Sequence, residues 1–238
     1  MQRSWACSLA FTLFSSAFAL GCDDGAGAPS GTAGAGGGSV GSASLVDDME
    51  DGDGSIPETD GRVGAWYSYN DGTGMQTPAD GTDMTMTAIQ PARGSSAFAA
   101  SSNGSGFTDW GAGFGFDLKN EGVTRLTYDA SRFTGLSFWA KAGPGSTTQM
   151  RFTIADEDTS PDGGICQAAL MECDDHFGQN VALTEEWQNF TYRFSDLKQD
   201  GFGKPFPAFK PDKIYGLQFE AGTSVAFDFW IDDIAFVE

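Results

Sequence analysis

The sequence predicts an all-β chain, two antiparallel sheets stacked as a sandwich of the jelly-roll type. Three observations carry that expectation. From Leu45 onward, short runs of alternating apolar and polar residues follow one another, and no helical period persists for three turns. The separators are turn formers: Asn70-Asp71-Gly72, Ser102-Asn103-Gly104, Gly143-Pro144-Gly145 and Pro161-Asp162-Gly163-Gly164. The composition agrees, because 33 glycines beside 20 phenylalanines and 6 tryptophans favour strands and tight turns over helices. About eleven short strands with no helical crossover bury their apolar faces most simply by packing one sheet on another.

The clearest strands fall at 135–141, 149–155, 187–194, 214–220 and 225–237, with weaker ones at 45–49, 65–69, 84–88, 95–101, 110–118 and 179–183. Side chains alternate across a strand, so parity sorts the faces. Leu136, Phe138 and Ala140 share one side, as do Met150, Phe152 and Ile154, then Phe190, Tyr192 and Phe194, then Tyr215, Leu217 and Phe219. The opposite parity carries Trp139, Lys141, Arg151, Thr153, Arg193, Gln218 and Glu220. The last strand is apolar on both parities, which suits a central position in its sheet.

The first 44 residues read differently. Residues 1–21 have a positive start at Arg3, an apolar run from Leu9 to Leu20 too short to span a bilayer, and a small residue before Cys22. This resembles the lipobox of bacterial lipoproteins, in which that cysteine receives a diacylglyceryl group. Residues 22–44, almost wholly Gly, Ala, Ser, Thr and Asp, form a flexible tether that cannot bury a core. The expectation is an exported chain anchored to a membrane by lipid, its folded part spanning 45–238. With 33 acids against 13 Lys and Arg, a formal charge of −20 argues against nucleic acid and against an anionic membrane surface as partners.

Four motifs in order carry a family resemblance. Asp47-Asp48-Met49-Glu50-Asp51-Gly52 resembles the D-F-E-D-G opening of galactose-binding-like β-sandwiches, and Gly135-Leu136-Ser137-Phe138-Trp139-Ala140-Lys141 their G-[IL]-x-F-W-[AV]-[KR] strand. Leu183-Thr184-Glu185-Glu186-Trp187, leading to Phe194-Ser195-Asp196-Leu197, is similar to their L-T-x-x-W…F-S-D-L segment. Trp230-Ile231-Asp232-Asp233-Ile234 is similar to the closing [LWY]-x-[IL]-D-[DN]-[IV] strand. The resemblance is to the carbohydrate-binding modules of that superfamily, including those that bind mixed-linked β-glucans. It implies a non-catalytic carbohydrate-binding domain and a structural calcium. Carried over by position, the calcium ligands are Glu50 and Asp232, with Asp48 nearby; Ca²⁺ asks for six to eight oxygens of this kind.

The remaining candidates come from the residues themselves. Trp139, Arg151, Arg193, Gln218, Glu220 and Trp230 form a polar face set with indoles, where a flat ring would cover the C–H face of a pyranose and charged or amide groups would fix hydroxyls. Trp66, Tyr67 and Tyr69 are placed to line the same groove. Asp156 and the single His176 are expected at one rim of the sandwich, where the histidine either contacts ligand or hydrogen-bonds within its own loop. Cys166 and Cys173 pair as a disulfide in an exported chain; zinc held with Asp174, Asp175 and His176 is the alternative. No organised nucleophile motif is present, so catalysis is not expected. The same sandwich would also serve an adhesion lipoprotein that binds a protein partner, or a hydrolase whose site carries no recognised motif.

Overall fold

The computed structural model describes residues 44–238. The leader, the lipidation site at Cys22 and the tether up to residue 43 lie outside the described residues. In chain order the strands are β1 (Leu45–Asp47), β2 (Trp66–Asn70), β3 (Met75–Thr77), β4 (Thr87–Arg93), β5 (Ser96–Ser105), β6 (Ala112–Asp117), β7 (Asn120–Glu121), β8 (Thr124–Arg125), β9 (Gly135–Ala142), β10 (Gln149–Asp156), β11 (Phe177–Ala182), β12 (Gln188–Arg193), β13 (Ile214–Ala221) and β14 (Phe227–Val237). Helical structure among the described residues is limited to three single turns, such as Pro161–Gly163.

The strands build the expected sandwich. One sheet has seven strands in the order β12-β9-β14-β5-β3, with β1 also on β14 and β4 also on β5. The other has five, β11-β10-β13-β6-β2, and β7 and β8 form a separate small hairpin. The doubly apolar final strand is indeed central: β14 pairs with β9, β5 and β1, all antiparallel.

Between the sheets lies a phenylalanine-rich core. Phe138 of the seven-stranded sheet meets Phe152 and Phe219 of the five-stranded one at ring-centroid distances of 5.4 and 5.3 Å. Phe114, Phe116 and Leu217 are fully buried beside them. Truncating any one of these rings would cost about 3–5 kcal/mol. Trp66 belongs to this core and not to the surface: its ring stacks with Phe219 at 6.3 Å, and its Nε1 donates to the buried carboxylate of Asp47 at 2.8 Å. That hydrogen bond ties the first strand to the sandwich.

Two differences from the expected strands have local causes. Met84 and Met86 are buried before β4 begins, so the apolar alternation there belongs to a packed approach and the strand starts at Thr87. Strands β3, β7 and β8 are two or three residues long, too short to show a period.

Candidate functional site

The outer face of the five-stranded sheet carries two side-chain rows that cross all five strands in register. One row runs Asn180, Arg151, Glu220, Gly113, Tyr69; the next runs Gly178, Thr153, Gln218, Gly115, Tyr67. The two β6 glycines decide what happens on this floor. With no side chain at Gly113 or Gly115, the rings of Tyr69 and Tyr67 lean across β6 and reach β13. The Tyr69 hydroxyl donates to Glu220 Oε1 at 3.0 Å, and Gln218 Nε2 donates to the Tyr67 hydroxyl at 3.1 Å. A Cβ built at Gly113 would come within 2.5 Å of the Tyr69 hydroxyl, and one at Gly115 within 2.1 Å of the Leu217 carbonyl.

Over this floor lies a groove of about 950 Å³, at the upper end of the range of small-molecule sites. Its rims carry apolar side chains left open to solvent. Trp110, 52% exposed, stands on one side and stacks on Tyr69 with ring centroids 5.9 Å apart. Phe202, 67% exposed, and Met171, 83% exposed, also line the groove, from two other loops. The loop bearing Met171 is closed by the Cys166–Cys173 disulfide, as expected from the sequence.

The charges are held in defined states. Arg151 pairs with Asp200 at 2.9 Å and donates to the Lys198 carbonyl at 2.9 Å. Burial pushes the Glu220 carboxyl up to about 7, against the pull of its hydrogen bond from Tyr69 and of nearby Arg151. Burial likewise raises the Tyr67 hydroxyl to about 12 and Tyr69 well above its ordinary value, so both stay protonated. The floor therefore offers hydroxyl, amide and guanidinium groups around one tunable carboxylate, between aromatic walls. This is the complement of a sugar, with hydroxyls at its edges and C–H faces above and below.

The face expected as one polar surface is in fact two. Arg151, Gln218 and Glu220 line the groove, whereas Trp139, Arg193 and Trp230 lie on the outer face of the seven-stranded sheet. Parity puts all six outward, but outward from two different sheets. The indoles on that second face are only partly exposed, and each already has a cation against it: the Arg93 guanidinium sits 4.5 Å from the Trp139 ring centre, and Lys141 Nζ lies 5.2 Å from that of Trp230. Arg193 sits exposed on edge strand β12.

Asp156 and His176 prove to be supports. The buried Asp156 carboxylate accepts from the Thr159 hydroxyl at 2.8 Å and from the Lys210 amide at 3.1 Å. His176 Nδ1 lies 2.9 Å from the same Thr159 hydroxyl, which spends its own proton on Asp156, so Nδ1 is the donor. Burial, with Arg125 adding to it, pushes the imidazole down to about 3, and the ring is neutral. The ring borders the groove wall while holding the loop behind it.

The residues expected to hold calcium do not fit the ion. Asp232 is fully buried, and its Oδ2 accepts from Arg93 Nη2 at 2.8 Å and Ser96 Oγ at 2.6 Å. Glu50 Oε1 accepts from the amides of Ala97 and Phe98 at 2.9 and 3.1 Å, and Asp48 Oδ1 from the Glu50 amide at 3.3 Å. Among the described residues no three His, Cys, Asp or Glu side chains gather in a metal-holding group. A guanidinium stands against Asp232 as the balancing cation.

Trp110, Phe202, Met171 and Asn180 join the groove without being expected from the sequence. A signal for the two rings exists: Trp110 in Asp109-Trp110-Gly111 and Phe202 in Gly201-Phe202-Gly203 are large aromatics next to glycine, and Trp110, expected to open the strand at 110–118, lies just ahead of β6, which begins at Ala112. Such a residue has little strand face on which to be buried.

The sequence model of the family described as Carbohydrate binding domain 30 matches residues 58–238. Among solved structures, the chain is similar to the family 11 carbohydrate-binding module from Clostridium thermocellum in complex with a β-1,3-1,4-mixed-linked tetrasaccharide. They are 18% identical with a TM-score of 0.50, covering 78% of this chain and 95% of that one. The family 30 module of the cellulosomal cellulase Cel9D-Cel44B of Clostridium thermocellum is 16% identical with a TM-score of 0.48, covering 78% of this chain and 97% of that one. No curated protein sequence matches the chain.

Proposed function

Because the chain belongs to the carbohydrate binding domain 30 family, we propose that it binds a polysaccharide without catalysis, in the groove on the outer face of the five-stranded sheet. The observation that carries this reading is the floor itself. Tyr69 bound to Glu220, with Gln218 held from behind by Tyr67, presents a hydrogen-bonding surface beside the exposed ring of Trp110. The non-catalytic part rests on the family, and two of the groove's acids are already engaged: Asp200 pairs with Arg151, and Asp175 accepts three backbone amides. The family 11 module similar to this chain is in complex with a β-1,3-1,4-mixed-linked tetrasaccharide, which makes mixed-linked β-glucan the first ligand to test.

Retardation of the purified domain in gels containing soluble mixed-linked β-glucan, with no reducing ends released on prolonged incubation, is the expected result. Unretarded migration across a panel of neutral glucans, mannans and xylans would overturn the reading in favour of a protein partner. Release of sugar would overturn its non-catalytic part. We further propose that the chain works in the cell envelope, tethered through lipid on Cys22. The lipobox-like leader supports this, and so does the Cys166–Cys173 disulfide, since such bonds persist in oxidising compartments. Mass spectrometry of the mature N-terminus is expected to find Cys22 diacylated; an unmodified or removed Cys22 would contradict it.

A further inference from the structure

Exposed aromatic rings on loops are usually loosely held, because little packs around them. Trp110 and Phe202 are exceptions, and the two loops are held in the same way. On the first, four consecutive backbone amides are satisfied by two side chains of the β2–β3 turn. The Thr108 amide donates to Thr73 Oγ1 at 2.8 Å, and the amides of Asp109, Trp110 and Gly111 all donate to Asp71 Oδ2, at 3.0, 3.0 and 2.9 Å. The other oxygen of Asp71 accepts from Thr73 Oγ1 at 2.6 Å and from the Thr73 amide at 2.9 Å. Desolvation works against its charge, yet hydrogen bonds from Thr73 and from the amides of Gly111 and Asp109 hold the Asp71 carboxyl well below the usual carboxylate range.

On the second loop the buried Asp175 does the same work. Its Oδ1 accepts from the Asp200 amide at 2.8 Å, and its Oδ2 from those of Gly201 and Gly203 at 2.9 and 3.1 Å. Phe202 stands at the apex between them. Gly201 adopts a φ of +96°, and a Cβ at Gly203 would lie 2.7 Å from that of Asp175, so the chain wraps the carboxylate closely.

We propose that Asp71 and Asp175 are positioning residues that hold Trp110 and Phe202 as fixed apolar walls of the groove before any ligand arrives. Neither carboxylate needs to touch the ligand. Each acts by removing the freedom of a rim loop, which a sugar would otherwise have to freeze on binding. The inference rests on the groove being the carbohydrate site, but the order of the loops is measurable without a ligand.

The test is a double-mutant cycle on the purified domain, with soluble mixed-linked β-glucan as the probe and amide hydrogen exchange read in parallel. Asp71→Ala is expected to weaken binding about tenfold, the scale of the cost of ordering one or two side chains. In a Trp110→Ala background the same change is expected to have almost no further effect, because its target ring is gone. The amides of 108–111 should exchange at least about tenfold faster in Asp71→Ala, while core-strand amides keep their protection. Asp175→Asn, which keeps one acceptor oxygen in a buried place, should selectively loosen 200–203. An Asp71→Ala domain with wild-type affinity, or one that loses affinity equally with and without Trp110, would overturn the proposal; so would unchanged exchange at 108–111. If the wild-type domain binds no glycan, the carbohydrate reading falls alone, and the exchange rates still decide whether the aspartates set the loops.

Discussion

Trp110 and Trp139 are both indoles at the surface of a sheet, and they differ in what covers them. A guanidinium lies 4.5 Å above Trp139, whereas Trp110 is half exposed beside a hydrogen-bonding floor. Trp110→Ala should therefore reduce affinity for soluble β-glucan at least about tenfold, near 1.4 kcal/mol, with little change in melting temperature. Trp139→Ala should leave affinity intact and lower stability by about 1–2 kcal/mol through the lost cation–π contact and packing. Titration calorimetry and thermal melts on the two variants check both halves. Glu220 adds a pH dependence of known sign. The ionised carboxylate accepts more strongly from sugar hydroxyls than the neutral carboxyl does, so affinity should rise as pH rises through about 7, and Glu220→Gln should flatten that profile. Stability runs the other way. The folded value of about 7 lies above the ordinary 4.5, so this group makes the fold less stable as pH climbs from 4.5 to 7.

At the scale of elements, β6 shows how a strand can serve a site by what it lacks. Its sequence Ala112-Gly113-Phe114-Gly115-Phe116-Asp117 alternates large core rings with bare positions on the groove side. Phe114 and Phe116 fill the core, while Gly113 and Gly115 leave room for Tyr69 and Tyr67 to reach β13. Gly113→Ala would set a methyl group within 2.5 Å of the Tyr69 hydroxyl and 3.0 Å of the Phe219 carbonyl. The expected outcome is displacement of Tyr69, a stability loss of about 1–3 kcal/mol, and weaker glucan binding. Denaturant unfolding and affinity electrophoresis on that variant measure the two effects. The apolar alternation of this strand was legible from the sequence. The use of its glycines was not, because it depends on β2 lying on one side and β13 on the other.

Over the whole molecule, the two faces of the sandwich have taken different chemistry. One carries the groove; the other carries tryptophans interleaved with Arg93 and Lys141 and locked by a buried ion pair. Arg93 contacts both Asp232 and Asp233, at 2.8 and 2.5 Å, and also lies over Trp139 and Trp187. Removing one partner of a buried pair leaves the other charge without compensation, so Arg93→Ala should destabilise the domain by about 3–5 kcal/mol. Melting temperatures in EDTA and in millimolar calcium should coincide for the wild-type domain, since a side chain already balances Asp232. A calcium-dependent rise would contradict this assignment.

The sequence by itself determined the alternation of faces, the turns between strands and the central place of the last strand, and it favoured a Cys166–Cys173 disulfide over zinc. Each of these depends on neighbours along the chain, on a period of two, or on the scarcity of other partners. Only the tertiary structure decided which outward-facing residues share a surface. Strand order is set by long-range pairing, and it separated Trp139, Arg193 and Trp230 from Arg151, Gln218 and Glu220 although all six have outward parity. The same pairing brought Tyr67 and Tyr69 across two glycines to a carboxylate and an amide about 150 residues away. It also set Asp71 and Asp175 beneath two exposed rings. A site assembled from five strands and three loops has little local signature, because most of its contacts join residues far apart in the chain.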